Sequence, residues 1–336
     1  MESRSVASIL GGAIGDAIGV YQETFPCSND IDATHERVLK LRRSMVSPQT
    51  GYRSGGPWTK QGLTMKAGEW TDDTAMMLCL ADSIMATRTV AVGDLLSRFV
   101  SWWNTGYNSS QGSAVGLGGN IRKAIMSFDP RDPDRLIGGT DPQKDAGNGS
   151  LMRLAPVPVY WHNDLQTALS MARLQTATTH NVQECLDGSA LMAFLIWNAI
   201  NGVPKETIFA GLHECPGLVH PGIVELASPA AAWRSKQADD IRTLPGRCLW
   251  SLEAALWCVY NTGTFKDAVV KAVNLAGDAD TVGSITGQIA GALYGEEAVP
   301  RSWLSGLRHG ANIVQRARSL YNNEDYDNDK HRITYA

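Results

Sequence analysis

The sequence predicts an all-α fold, a compact orthogonal multi-helix bundle, and three features carry the helical part of that reading. Apolar residues recur at three- and four-residue spacings along most of the chain. Clean period-two alternation is nearly absent, and residues 157–160, the best strand candidate, are too few to support a sheet. Asp and Thr stand in front of several periodic stretches, where they satisfy orphan backbone amides.

Taken in order, Leu95, Phe99, Trp102 and Trp103 follow Asp94, which stands in N-cap position. Leu165, Leu169 and Ala172 repeat the spacing, as do Leu186, Ala190, Ala193, Phe194 and Trp197. Residues 249–260 are apolar nearly all round, as in a helix buried within a bundle. Thr264 with Asp267 three residues on reads as an N-cap opening the next helix. With 336 residues, 43% of them hydrophobic, the chain can bury one large core. Neither a fixed-period repeat nor a Pro- or Ser-rich linker divides it, so one domain is expected over 1–321, with a loosely held polar tail over 322–336. Residues 24–68 read as a long surface excursion around one basic helix, and residues 104–150 as loop-rich binding elements.

Net charge is −4, and Lys and Arg are scattered, so no basic stripe suits nucleic acid. The apolar runs fall short of the roughly 18 residues that span a bilayer. The six cysteines, Cys27, Cys79, Cys185, Cys215, Cys248 and Cys258, lack metal-ligand spacing and suggest no disulfides. A cytoplasmic protein without membrane or nucleic-acid partners is expected.

Three short segments concentrate chemistry. Gly11, Gly15 and Gly19 flank Asp16, with Glu23 close behind; Glu69-Trp70-Thr71-Asp72-Asp73-Thr74 follows; Gly277-Asp278-Ala279-Asp280-Thr281-Val282-Gly283 comes last. One helix cap needs one residue, whereas the last two segments each supply two carboxylates and a hydroxyl. Like charges crowded at a buried helix end are costly without a cation. An all-oxygen set of Asp, Glu and Thr suits a hard cation such as Mg²⁺ or Mn²⁺. Gly287, Gly291 and Gly295 continue a four-residue spacing that lets helices approach closely, a role Gly11, Gly15 and Gly19 share. Asp16 is then either a structural hydrogen-bonding group or a support of the metal shell. Gly116-Leu117-Gly118-Gly119-Asn120 reads as an ordinary turn or as an anion cradle opening a helix. Gly147-Asn148-Gly149-Ser150 reads as a capping turn or a ligand-lining loop, and His180 as a cap or a substrate contact.

In this order, and together with Gly15-Asp16-Ala17, these segments resemble the ADP-ribosylglycohydrolase family over nearly the whole chain. The resemblance implies an all-helical fold and a centre of two divalent cations, Mg²⁺ or Mn²⁺, held by Thr71, Asp72, Asp73, Asp278, Asp280 and Thr281. It implies Glu23 as a mobile carboxylate near the reacting centre, with Glu23, Asp72 and Asp73 the candidates for base. It places Gly116, Gly118, Gly119 and Asn120 at the diphosphate, and Asn148, Gly149, Ser150 and His180 along the ADP-ribose cleft. The implied activity is hydrolysis of the bond between ADP-ribose and a modified protein side chain, most simply arginine, releasing ADP-ribose. The alternatives are an O-linked (serine or ester) bond or a non-catalytic ADP-ribose-binding immunity or inhibitor protein. Arginine-type members tend to carry Asp where Gly116 stands here, which leaves Glu69 or a residue of the 24–68 excursion to pair with the guanidinium.

Overall fold

The computed structural model describes residues 1–23 and 65–335. The helix expected within the 24–68 excursion, together with Cys27, lies outside the described residues. No strand occurs among the described residues, only isolated bridges such as that between Glu23 and Gly277.

The helices that build the core are α1 (Glu2–Gly19), α2 (Asp72–Thr87), α3 (Val92–Thr105), α4 (Gly119–Ser127), α5 (Pro156–Tyr160), α6 (Leu165–Ala177), α7 (Gln183–Ile200), α8 (Cys248–Tyr260), α9 (Phe265–Val273), α10 (Ala279–Tyr294), α11 (Gly310–Tyr321) and α12 (Asn328–His331). Thr264 caps α9 through Asp267 N–H, as its spacing predicts. One local expectation fails. Asp94 lies inside the first turn of α3, whose N-cap is Ala91, and pairs with Arg98 one turn on. Residues 157–160 are helical, because Pro156 sits at the first helical position with its φ already set for a turn.

The central pair is α1 against α10. A Cβ on Gly15 would stand 2.0 Å from Gly283 O, one on Gly11 2.2 Å from Gly287 O, and one on Gly291 1.9 Å from Ala7 O. The backbones touch because none of these positions carries a side chain, so the four-residue glycine spacing is a packing device. Gly295 is the exception. It closes α10 at φ +77°, a conformation other residues rarely adopt. The main apolar cluster runs from Val6 to Ile333 and includes Trp70, Phe99, Trp102 and Phe265, and a small second one joins Val20, Met65 and Val115. The expected loose tail is instead tied down. His331 and Ile333 are buried, and the Tyr335 hydroxyl donates to the carbonyls of Gly106 and Ser109.

Candidate active site

Helix termini build the floor of the site. Close packing of α1 on α10 brings Asp16 and Glu23, at the end of α1 and just past it, beside Asp278 and Asp280 at the start of α10. The start of α2 is anchored by Trp70, whose indole donates to Asn108 O and whose carbonyl accepts from the Ser110 hydroxyl. That anchoring presents Thr71, Asp72 and Asp73 to the same floor.

Capping does not explain these acids. Thr71 and Asp278 hold the N-cap positions of α2 and α10, yet neither makes a side-chain cap bond. The start of α2 is capped from another helix. Asp16 accepts the N–H groups of Thr71 and Thr74 at 3.1 and 3.0 Å and their hydroxyls at 2.9 and 2.6 Å. Asp16 is therefore the structural hydrogen-bonding group that the sequence allows, and it leaves Asp72 and Asp73 free of that duty.

The freed carboxylates crowd. Oxygens of Asp16, Asp73 and Asp280 lie within 4.8 Å of one another, as do those of Glu23, Asp278 and Asp280, so Asp280 belongs to both groups. Burial pushes every one of these acids up. It holds Asp16 at about 6 against the lowering bonds from Thr71 and Thr74, and Asp72 at about 7 with help from the Asp16 charge. Burial and then neighbouring carboxylates raise Glu23, Asp73 and Asp280 far above the usual carboxyl range, and burial raises Asp278. Among the described residues Glu23 Oε2 and Asp73 Oδ1 are buried without a hydrogen-bond partner. Crowded acids with orphaned oxygens fit divalent cations. The Thr71 hydroxyl, between Asp16 Oδ1 at 2.9 Å and Asp73 Oδ2 at 3.2 Å, keeps a lone pair for such an ion.

Above this floor opens a cavity of about 780 Å³. Of the residues singled out in the sequence, Glu23, Asp72, Asp73, Gly118, Gly119, Asn120, Asn148, Gly149, His180, Asp278, Asp280 and Thr281 line it. Asn148 donates to Asp278 Oδ2 at 2.6 Å and to Ser251 Oγ at 2.9 Å. Gly147 and Gly149 leave room for the His180 ring, since a Cβ on either would come within 3.1 Å of it. Burial, then the Arg153 cation, pushes His180 down to about 3 against the pull of Asp145, so the ring is neutral at physiological pH.

Gly116 and Ser150 stand off the cleft wall. Ser150 is buried and turned toward Ser189, whose hydroxyl lies 3.3 Å away. Gly116 packs behind Asp72 at φ +74°, and a Cβ there would stand 2.0 Å from Asp72 Oδ1. Asp72 also accepts the Gly118 N–H. The glycine run thus holds a carboxylate in place on one side while it faces the cavity on the other. Glu69, one of the two expected sources of a partner for a guanidinium, is also off the wall: it is buried and accepts the Lys66 N–H at 2.7 Å, and residues 24–64 of the other lie outside the described residues.

The ADP-ribosylglycohydrolase family profile matches residues 1–329. The chain belongs to the ADP-ribosylglycohydrolase family. Similar proteins include the ADP-ribosylarginine hydrolase Tri1 of Serratia proteamaculans (strain 568), 33% identical over 318 residues that cover 95% of this chain and 79% of that one. The ADP-ribosyl-(dinitrogen reductase) glycohydrolase of Rhodospirillum rubrum is 28% identical, covering 91% of each chain. A solved structure described as an ADP-ribosylglycohydrolase-related protein complex has a TM-score of 0.73 at 30% identity, covering 96% of this chain and 98% of its own.

This ADP-ribosylglycohydrolase has a second cleft wall that sequence reasoning missed. Leu244, Pro245, Gly246, Arg247 and Trp250 line the side formed by the entry into α8. Arg247 is fixed there by Glu184, which accepts from its Nε and Nη2 and also from Leu249 N–H. A Pro-Gly turn was the only local signal, and it marks a bend without saying what the bend faces. Among the described residues no helix is long and apolar enough to cross a membrane.

Proposed function

We propose that this chain cleaves the bond between ADP-ribose and an arginine side chain of a modified protein, with two divalent cations, Mg²⁺ or Mn²⁺, in the acidic floor. The observation that carries this reading is the pair of carboxylate groups sharing Asp280 at the base of a cleft lined by a glycine loop. Asp73, Asp278, Asp280, Thr71 and Thr281 would hold the ions, with Asp72 presented beside them by Gly118. When bound, such ions neutralise the crowded acids, bind ribose hydroxyls and acidify water.

The chain's own groups supply the rest. The bond from the anomeric carbon to the guanidine nitrogen breaks with oxocarbenium character, and a water oxygen replaces the nitrogen. The proton lost by that water passes to a carboxylate, and among the described residues Glu23 Oε2 and Asp73 Oδ1 are the oxygens of cleft-lining acids without another partner; we assign the role to Glu23. The departing guanidine takes up a proton and leaves as guanidinium. Gly119 and Asn120, in the first turn of α4, offer backbone N–H groups to the diphosphate, while the Gly118 N–H is held by Asp72. We place the reaction in the cytoplasm, where thiols such as Cys185 and Cys248, both free, stay reduced.

One observation favours an O-linked bond as the second reading. With Gly116 tight against Asp72 and Glu69 turned away, the described cleft has no carboxylate beyond the floor acids to pair with a guanidinium. Incubation with ADP-ribosyl-arginine and ADP-ribosyl-serine peptides, with Mg²⁺ or with EDTA, tests both. Release from arginine peptides that EDTA abolishes supports the proposal; faster release from serine replaces it.

A further inference from the structure

Behind the cleft wall lies a charged group that the reaction above does not use. Arg153 follows directly on the Gly147–Met152 loop and is fully buried. Its Nε donates to Gln175 Oε1 at 2.9 Å, and its Nη2 to Gln175 O at 2.9 Å, Thr178 Oγ1 at 3.3 Å and Thr179 Oγ1 at 2.8 Å. The guanidinium lies 4.9 Å from the Phe99 ring centroid, and Nη1 has no partner among the described residues. None of its hydrogen-bond partners is a carboxylate. Burying a guanidinium without a counter-charge is expensive, so its placement calls for a reason beyond packing.

The reason lies one bond further on. The Thr179 hydroxyl, also buried, lies 2.7 Å from His180 Nδ1. A guanidinium can only donate, so Arg153 occupies a lone pair of the hydroxyl. The single hydroxyl proton is then left for Nδ1. Were Nδ1 to carry its own proton, the hydroxyl would accept twice and its proton would have no acceptor among its observed partners. With Nδ1 accepting, the imidazole proton sits on Nε2, the nitrogen on the side of Gly147 and the cavity.

We propose that Arg153 and Thr179 are positioning residues that fix His180 in its Nε2–H tautomer, so that the ring offers a hydrogen-bond donor to an acceptor oxygen of ADP-ribose in the cleft. The inference rests on the ADP-ribose reading of the cleft for its ligand, while the tautomer itself does not depend on that reading. Arg153 acts through Thr179, and Thr179 through the ring. Gln175 in turn fixes Arg153, its amide donating to Ser150 O at 3.1 Å. This gives the glycine-rich loop before Arg153 and the Thr178-Thr179-His180 segment a common purpose.

The test uses the full-length, Mg²⁺-loaded protein with histidine labelled in its ring nitrogens. Nitrogen chemical shifts of His180 report the tautomer, and calorimetry reports affinity for ADP-ribose. Thr179→Val keeps the shape of the side chain and removes the hydroxyl; Thr179→Ser restores it. Both avoid Arg153, whose loss from the interior risks the fold. The expected result is an Nε2–H ring in the wild type, a mixed or reversed tautomer in Thr179→Val with roughly tenfold weaker ADP-ribose binding, and recovery of both in Thr179→Ser. An unchanged tautomer in Thr179→Val overturns the inference, as does a changed tautomer with wild-type affinity. Wild-type protein that fails to bind or release ADP-ribose would defeat the functional proposal, and the tautomer measurement would still decide whether the relay exists.

Discussion

The carboxylate of Asp16, near the end of one helix, stands 2.6 Å from the hydroxyl of Thr74 and 3.0 Å from its backbone N–H, in the first turn of another. The relationship does two jobs. It caps α2, and it fixes the angle at which Asp72 and Asp73 meet the acids of α10.

Asp16→Ala should therefore lower stability by about 3 kcal/mol or more, since it strands buried amides of Thr71 and Thr74. Urea unfolding in Mg²⁺ measures it. A loss within about 0.5 kcal/mol, the range of an ordinary surface change, would contradict the capping role.

Asp280 is shared by both carboxylate groups, so it should dominate metal binding. Mg²⁺ at 100 times its dissociation constant should stabilise the wild type by about 2.7 kcal/mol, and Asp280→Asn should lose most of that gain. Without metal the order should invert, the variant melting higher because repulsion among buried carboxylates is relieved. Calorimetric melting with and without Mg²⁺ reads both; a variant that keeps the full metal shift would sink the shared-ligand assignment.

His180 carries a pH signature. Its folded value is pushed from the ordinary 6.5 to about 3, so between these limits the unfolded chain binds a proton that the native ring refuses. Its contribution to stability is complete above pH 6.5 and is lost progressively as pH falls toward 3. At pH 5 the loss amounts to about 2 kcal/mol. The stability difference between pH 7 and pH 5 should shrink by that amount in His180→Gln, as measured by denaturant unfolding at each pH.

Gly15→Ala should be among the most damaging small substitutions, because its methyl would meet Gly283 O at 2.0 Å. The two helices would have to part, at a cost of about 3 kcal/mol, with weaker metal binding as the acids separate. Gly119→Ala, where nothing lies within 4 Å, provides the control and should leave stability within about 0.5 kcal/mol. Equal effects of the two changes would remove the packing argument.

Much of the fold was legible because its signals are local. Helical periodicity, the Thr264 cap and the four-residue glycine spacing each involve residues within a turn or two of one another. The acidic motifs were legible for the same reason: two carboxylates at one helix start are more than a cap requires. What escaped was set by distant partners. Asp16 caps a helix 55 residues away in sequence, which leaves no trace in the pattern around either residue. Ser150 and Glu69 have the right chemistry for the cleft and the wrong direction, and a sequence does not record direction. The polar composition of the C-terminal residues suggested a free tail, yet His331 and Tyr335 find partners around Gly106 and Arg316.

The contact between α1 and α10 also governs when during synthesis the protein can become itself. Residues 2–19 leave the ribosome well before the surface they need, 279–294, which comes some 260 residues later. Until then the glycine face of α1 has nothing to lie against, and Asp16 and Glu23 lack the acids with which they share the floor. At about 5–20 residues per second that wait lasts tens of seconds. A chain released before α10 emerges holds two of its three acidic segments and no complete centre.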